Sequence, residues 1–115
     1  MKKHTIDAEG KSLGRIASNA AILLRGKESA TYERHIAPTD TVEIINATKL
    51  LISERRAQGT TYRTHTGRPG SEKVETLEHL ISRRGHSEAL IRAIKGMLPA
   101  NRLRPIMMKN LTIKN

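Results

Sequence analysis

Thr5-Ile6-Asp7-Ala8-Glu9-Gly10-Lys11-Ser12-Leu13-Gly14-Arg15-Ile16-Ala17-Ser18-Asn19-Ala20-Ala21-Ile22-Leu23-Leu24-Arg25-Gly26 decides the fold. It opens with a short strand candidate, Thr5 to Ala8, and turns at Glu9-Gly10. Ser12 then suits a helix N-cap. From there Leu13, Ile16, Ala17, Ala20 and Leu24 recur at spacings that place them on one helical face, and Gly26 fits a C-cap. The pattern predicts a helix from about 13 to 25. Gly14 inside it costs roughly 1 kcal/mol relative to Ala. It therefore suggests close packing against a neighbouring element or an approaching RNA backbone, with packing the favoured reading.

Downstream, Thr41-Val42-Glu43-Ile44-Ile45-Asn46 is β-branched over strand length and follows Pro38, so it reads as a strand largely inside a sheet. Lys49 to Ile52 is ambiguous. A polar stretch from Ser53 to Thr60 leads to a further strand candidate, Thr61 to Thr64, and then to a loop, His65-Thr66-Gly67-Arg68-Pro69-Gly70, that cannot be helical. Val74, Leu77, Leu80 and Ile81 fall at helical spacing and end in Arg83-Arg84-Gly85. Ser87 suits the cap of a third helix carrying Leu90, Ile91 and Ile94, after which Pro99 and Pro105 should break regular structure. Strands alternating with helices indicate an α/β domain. At 115 residues, without internal repeat or linker, residues 1–115 read as a single domain whose basic C-terminal segment, 92–115, is partly irregular.

Charge points to the partner. The chain carries 21 Lys and Arg against 11 Asp and Glu, a formal charge of +10 and a pI of about 10.6. Residues 1–57 hold 10 basic and 7 acidic side chains, and residues 58–115 hold 11 and 4. No acid follows Glu88, yet Arg92, Lys95, Arg102, Arg104, Lys109 and Lys114 do. Solubility does not require one sign of charge, so a polyanion is the expected partner. With two Tyr, no Phe and no Trp there are few rings on which to stack bases, and backbone contacts to folded RNA or duplex fit better.

Other functions find little support. The chain has no cysteine, hence neither disulfides nor thiolate metal sites. Its start turns polar too soon for a secretory signal, and no apolar run reaches membrane-spanning length. His4, His35, His65, His79 and His86 lack the spacing of a metal site, and Asp7, Glu9 and Asp40 show no sign of the convergence a nuclease needs. Ser12, Ser18 and Ser29 sit in no nucleophile elbow, and the glycines form no nucleotide-binding fingerprint. The chain is expected to be no enzyme, with no cofactor, no membrane and no small-molecule substrate.

Three basic loops remain as candidates: Arg25-Gly26-Lys27 with Arg34-His35 beyond it, Arg63 to Gly70, and Lys95 to Arg104. Glycine lets a phosphate backbone come close, and Pro69 restrains the second loop. In the third, Met97 and Leu98 are read as core anchors, with the flanking cations facing out.

Taken together, Ile6 to Ala17, Leu24-Arg25-Gly26-Lys27, Val42 to Ala47, Tyr62 to Gly70 and Ile94 to Pro99 resemble the large ribosomal subunit protein 13 family in its bacterial form. The stretches stand in that family's order across nearly the whole chain, and Lys95-Gly96-Met97-Leu98-Pro99 following His65-Thr66-Gly67-Arg68-Pro69-Gly70 is the most specific pair. The resemblance implies a three-layer α/β/α domain around a mostly parallel sheet. It implies a cytoplasmic structural constituent of the large ribosomal subunit that binds large-subunit ribosomal RNA beside neighbouring large-subunit proteins and supports assembly and translation. A free regulatory protein acting on messenger RNA is the alternative.

The RNA-binding candidates are Arg15, Arg25, Lys27, Arg34, Arg63, His65, Thr66, Gly67, Arg68, Gly70, Lys73, Lys95, Gly96, Arg102, Arg104 and Lys109. The chain departs from the family pattern in four places. Near His4-Thr5 a family aromatic is missing, Arg68 stands where an aromatic is common, and Arg104-Pro105 stands where a glycine is expected. The end at Asn115 falls short of the family's basic, His-containing tail, so contacts made by such a tail are expected to be absent or supplied by a neighbour.

Overall fold

The structure is a computed structural model that describes residues 3–27, 30, 35, 39–64, 67–70 and 72–114. The chain runs β1 (Lys3–Asp7), α1 (Leu13–Arg25), β2 (Thr41–Ile45), a 3₁₀ turn (Ala47–Lys49), α2 (Glu54–Gly59), β3 (Thr61–Thr64), β4 (Lys73–Thr76), α3 (Leu77–Arg84), α4 (His86–Met97), α5 (Arg104–Lys109) and β5 (Leu111–Ile113). It is an α/β fold around a parallel sheet in the order β1-β2-β5, with β3 and β4 forming a separate antiparallel pair.

The opening stretch folds as its pattern requires. α1 buries Leu13, Ile16, Ala17, Ala20, Ala21 and Leu24 on one face. Gly26 ends it in the left-handed region at φ 73°. There the Gly26 and Lys27 N–H groups donate to the Leu23 and Ile22 carbonyls at 3.1 and 3.4 Å. Ser12 occupies the N-cap, but its side chain accepts no capping hydrogen bond; its backbone is instead bridged in parallel to Leu51.

β2 is the central strand. In register, Ile6, Val42, Ile44, Leu111 and Ile113 share one face of the sheet, and Lys3, Thr5, Asp7, Glu43 and Thr112 share the other. The first face joins Ile16 and Leu24 of α1, Leu77 and Leu80 of α3, and Leu90 and Ile94 of α4 in one hydrophobic core. Apart from Ile45 the second face is polar, and its one buried acid, Glu43, is held by Lys3 and Lys114.

Four local expectations need correction. Val74 belongs to β4, opposite Arg63, because Thr76 accepts from the His79 N–H at 3.2 Å and so starts α3 only at Leu77. The polar stretch hides helix α2, nucleated by Ser53, whose hydroxyl accepts from the Arg56 N–H at 3.3 Å. α4 begins at His86, directly after Gly85 at φ 86°, so Ser87 lies inside the helix. Pro105 stands in the first turn of α5 rather than breaking structure, where its fixed φ suits a helix start and its missing N–H costs nothing. The departure from the family pattern at Arg104-Pro105 thus falls on a helix start, and no residue from Arg102 to Pro105 has a positive φ calling for glycine.

Candidate nucleic-acid interface

The β3–β4 hairpin presents the second basic loop at its tip. Gly67 and Gly70 have φ values of 88° and 75°, a conformation that side chains resist. Arg68 stands exposed between them. Arg63 of β3 meets Glu72, just before β4, at 3.5 Å with both side chains largely in solvent. Such a pair contributes about 0–1 kcal/mol, so Arg63 can exchange it for a phosphate at little cost. Tyr62, Thr64, Lys73 and Glu75 share one ribbon face and border a pocket reaching His79, Arg83 and Arg92. His65 and Thr66 lie outside the described residues, as does Arg34.

Inside that pocket the charges are largely spoken for. Arg83 donates two hydrogen bonds to Glu75, both at 2.8 Å, and His79 approaches the same carboxylate at 2.8 Å. The guanidinium, and after it His79, hold the Glu75 carboxyl down at about 2. Arg92 lies 4.9 Å from the centre of the Tyr62 ring and pairs with Glu88 at 3.3 Å. Burial pushes the Tyr62 phenol up.

A second basic surface lies at the start of α1. Arg15 shares a groove with Ser12, Gly14, Ser18, Asn19 and Arg56 of α2. The Ser18 hydroxyl donates to the Gly14 carbonyl at 2.9 Å and reaches the Met97 sulfur at 3.6 Å, bringing the end of α4 alongside. Gly14 packs against nothing tight: a Cβ there would meet only the tip of Arg56, at an ordinary 3.6 Å. The expectation of close internal packing at Gly14 is therefore not met. Arg56 was missed in the sequence because α2 buries no residue and so shows no apolar stripe.

The third basic segment divides. Lys95 and Gly96 are exposed in the last turn of α4, and Leu98 after it is buried. Met97 is 43% exposed rather than a core anchor, because the helix turns it toward α1's Ser18 and away from the core. Arg102 and Lys109 are exposed, and Arg104 is half-buried at the start of α5. These cations form no ion pair among the described residues, whereas Arg92 and Lys114 of the same acid-free segment are both engaged within the protein. Arg25 and Lys27 sit at the far end of α1, roughly 15 Å along its axis from Arg15 at 1.5 Å per residue.

Among the described residues no three His, Cys, Asp or Glu side chains gather to hold a metal, and no helix is long and apolar enough to cross a membrane. Among the described residues, Arg15, Arg25, Lys27, Lys73, Lys95, Arg102, Arg104 and Lys109 form no ion pair with the protein's own acids.

The family model described as ribosomal protein L13 matches residues 1–114. The chain belongs to the ribosomal protein L13 family. It is 43% identical over 112 residues to the large ribosomal subunit protein uL13 of Symbiobacterium thermophilum, covering 97% of this chain and 78% of that one. It is similar to the protein of the same name from Synechococcus sp. strain CC9311, at 42% over 96% of this chain and 73% of the other. The Rubrobacter xylanophilus uL13 is 39% identical over 97% and 78%. As an L13-family member, the chain aligns to these relatives through all three basic segments.

Proposed function

We propose that this protein is a structural, non-catalytic constituent of the large ribosomal subunit. It binds large-subunit ribosomal RNA in the cytoplasm beside other large-subunit proteins and supports subunit assembly and translation. The observation that carries this reading is the conjunction of an L13-family match across residues 1–114 with a net charge of +10 that the protein's own acids do not balance. The contact residues are Arg15, Arg25, Lys27, Arg34, Arg63, the His65 to Gly70 loop including Arg68, Lys73, Lys95, Gly96, Arg102, Arg104 and Lys109. Residues 1–115 act as one RNA-binding domain. Lys and Arg neutralise phosphates and release condensed cations, while the glycine-rich hairpin tip and the helix ends fix the register of docking.

Sedimentation of the tagged chain with ribosomal subunits tests the assignment. It should remain with the large subunit through a high-salt wash, since an integrated constituent is enclosed by folded RNA and neighbouring proteins, whereas salt releases a chain held by exchangeable phosphate contacts alone. Release into the supernatant would instead identify a free RNA-binding regulator.

A further inference from the structure

The groove between the start of α1 and α2 has a composition that the fold does not explain. Arg15 and Arg56 both line it, with Ser12, Ser18 and Asn19, and no carboxylate or aromatic ring contributes to its lining among the described residues. Both side chains are exposed, and neither forms an ion pair among the described residues. Two guanidiniums on one groove without a counter-charge there repel one another to the extent that they approach, and an anion bound between them would offset that repulsion. Gly14, in the same lining, is the second anomaly. Its φ lies outside the left-handed region, so no backbone constraint demands glycine. The space above it is open apart from the Arg56 tip 3.6 Å away. Glycine weakens a helix interior, and nothing among the described residues requires it here.

We infer that the Arg15–Gly14–Arg56 groove is a phosphodiester seat for RNA, Gly14 leaving room for the backbone and the two arginines gripping its phosphate oxygens from either side. This rests on the ribosomal RNA-binding reading and adds Arg56 as a contact. Guanidinium forks suit phosphate oxygens, and without a ring in the lining the groove reads the sugar–phosphate chain rather than base identity. Ser18 of the same groove reaches the Met97 sulfur at 3.6 Å, so the end of α4 lies nearby.

The test uses the full chain, a large-subunit ribosomal RNA transcript, and titrations at several salt concentrations, with the thermal midpoint of every variant recorded. Arg56→Gln should weaken binding about tenfold and flatten the log–log salt dependence by about 0.9, the value for one lost phosphate contact. Gly14→Leu should weaken binding at least as much while leaving the thermal midpoint unchanged or raised, because leucine favours the helix. Arg84→Gln, an exposed cation at the end of α3, serves as the control. If Arg56→Gln binds like Arg84→Gln, or if Gly14→Leu lowers the thermal midpoint and leaves affinity intact, the seat is overturned. A wild-type chain that fails to bind the transcript at any salt would instead overturn the RNA-binding reading itself.

Discussion

Glu43 and Lys114 are joined across the polar face of the sheet, carboxylate to ammonium at 2.7 Å, with Lys3 on the other carboxylate oxygen. Glu43 lies on the central strand, Lys3 on one edge strand, and Lys114 just beyond the other. The backbone reinforces the link, because the Lys114 N–H donates to the Ile44 carbonyl at 2.7 Å and its carbonyl accepts from Ala47 at 3.1 Å. One carboxylate thus ties both sheet edges to the middle. Glu43→Leu should lower the thermal midpoint by leaving two lysines facing each other, and calorimetry at neutral pH reads the loss.

The same carboxylate sets an acid limit. Lys114 and Lys3 hold the Glu43 carboxyl at about 2, against an ordinary value of 4.5, and Glu75 lies equally low under Arg83. The folded form therefore keeps these protons off where the unfolded chain takes them up. That contribution is complete above the unfolded value of 4.5 and is lost as pH falls from there toward 2. Stability measured from pH 6 down to 2 should decline over that window, and the double variant Glu43→Gln, Glu75→Gln should show a shallower decline.

Cations in the acid-free segment should separate into two kinds. Arg92 stacks on Tyr62 and pairs with Glu88, so Arg92→Gln should lower the thermal midpoint with little change in RNA affinity. Arg102 is exposed and has no ion-pair partner among the described residues. Arg102→Gln should do the reverse, weakening RNA binding at unchanged stability. Identical behaviour of the two variants in both measurements would contradict this division.

Packing of α1 on α4 supplies the frame. Leu24 and Ile94 are fully buried in the common core, so truncating either to Ala should cost about 2–5 kcal/mol in denaturant unfolding. Gly26→Ala should cost about 1–2 kcal/mol, since its left-handed φ of 73° penalises any Cβ.

Much of this fold was readable where one residue's neighbours suffice to place it. The stripe from Leu13 to Leu24 defines α1 to the residue, and the β-branched run at Thr41 marks the central strand. Elements placed by tertiary context were not readable. Val74 continues the helical spacing of Leu77 and Leu80, but pairing with β3 and the Thr76 cap decide against it. α2 buries nothing, so it left no hydrophobic trace, and Arg56 went unnoticed with it. Charge counting found the acid-free segment but could not see that Glu43 reaches Lys114 from another strand, while Glu88 takes up Arg92 one helical turn along α4. The candidate interface was thus visible as composition, while which cations face outward needed the geometry.

The most direct measurement of the central claim is the affinity of the full chain for large-subunit ribosomal RNA across a salt series. With about six to ten phosphate contacts, binding should weaken by roughly a thousandfold or more between 50 and 200 mM salt. An affinity that stays flat over that range would contradict phosphate recognition by this basic surface.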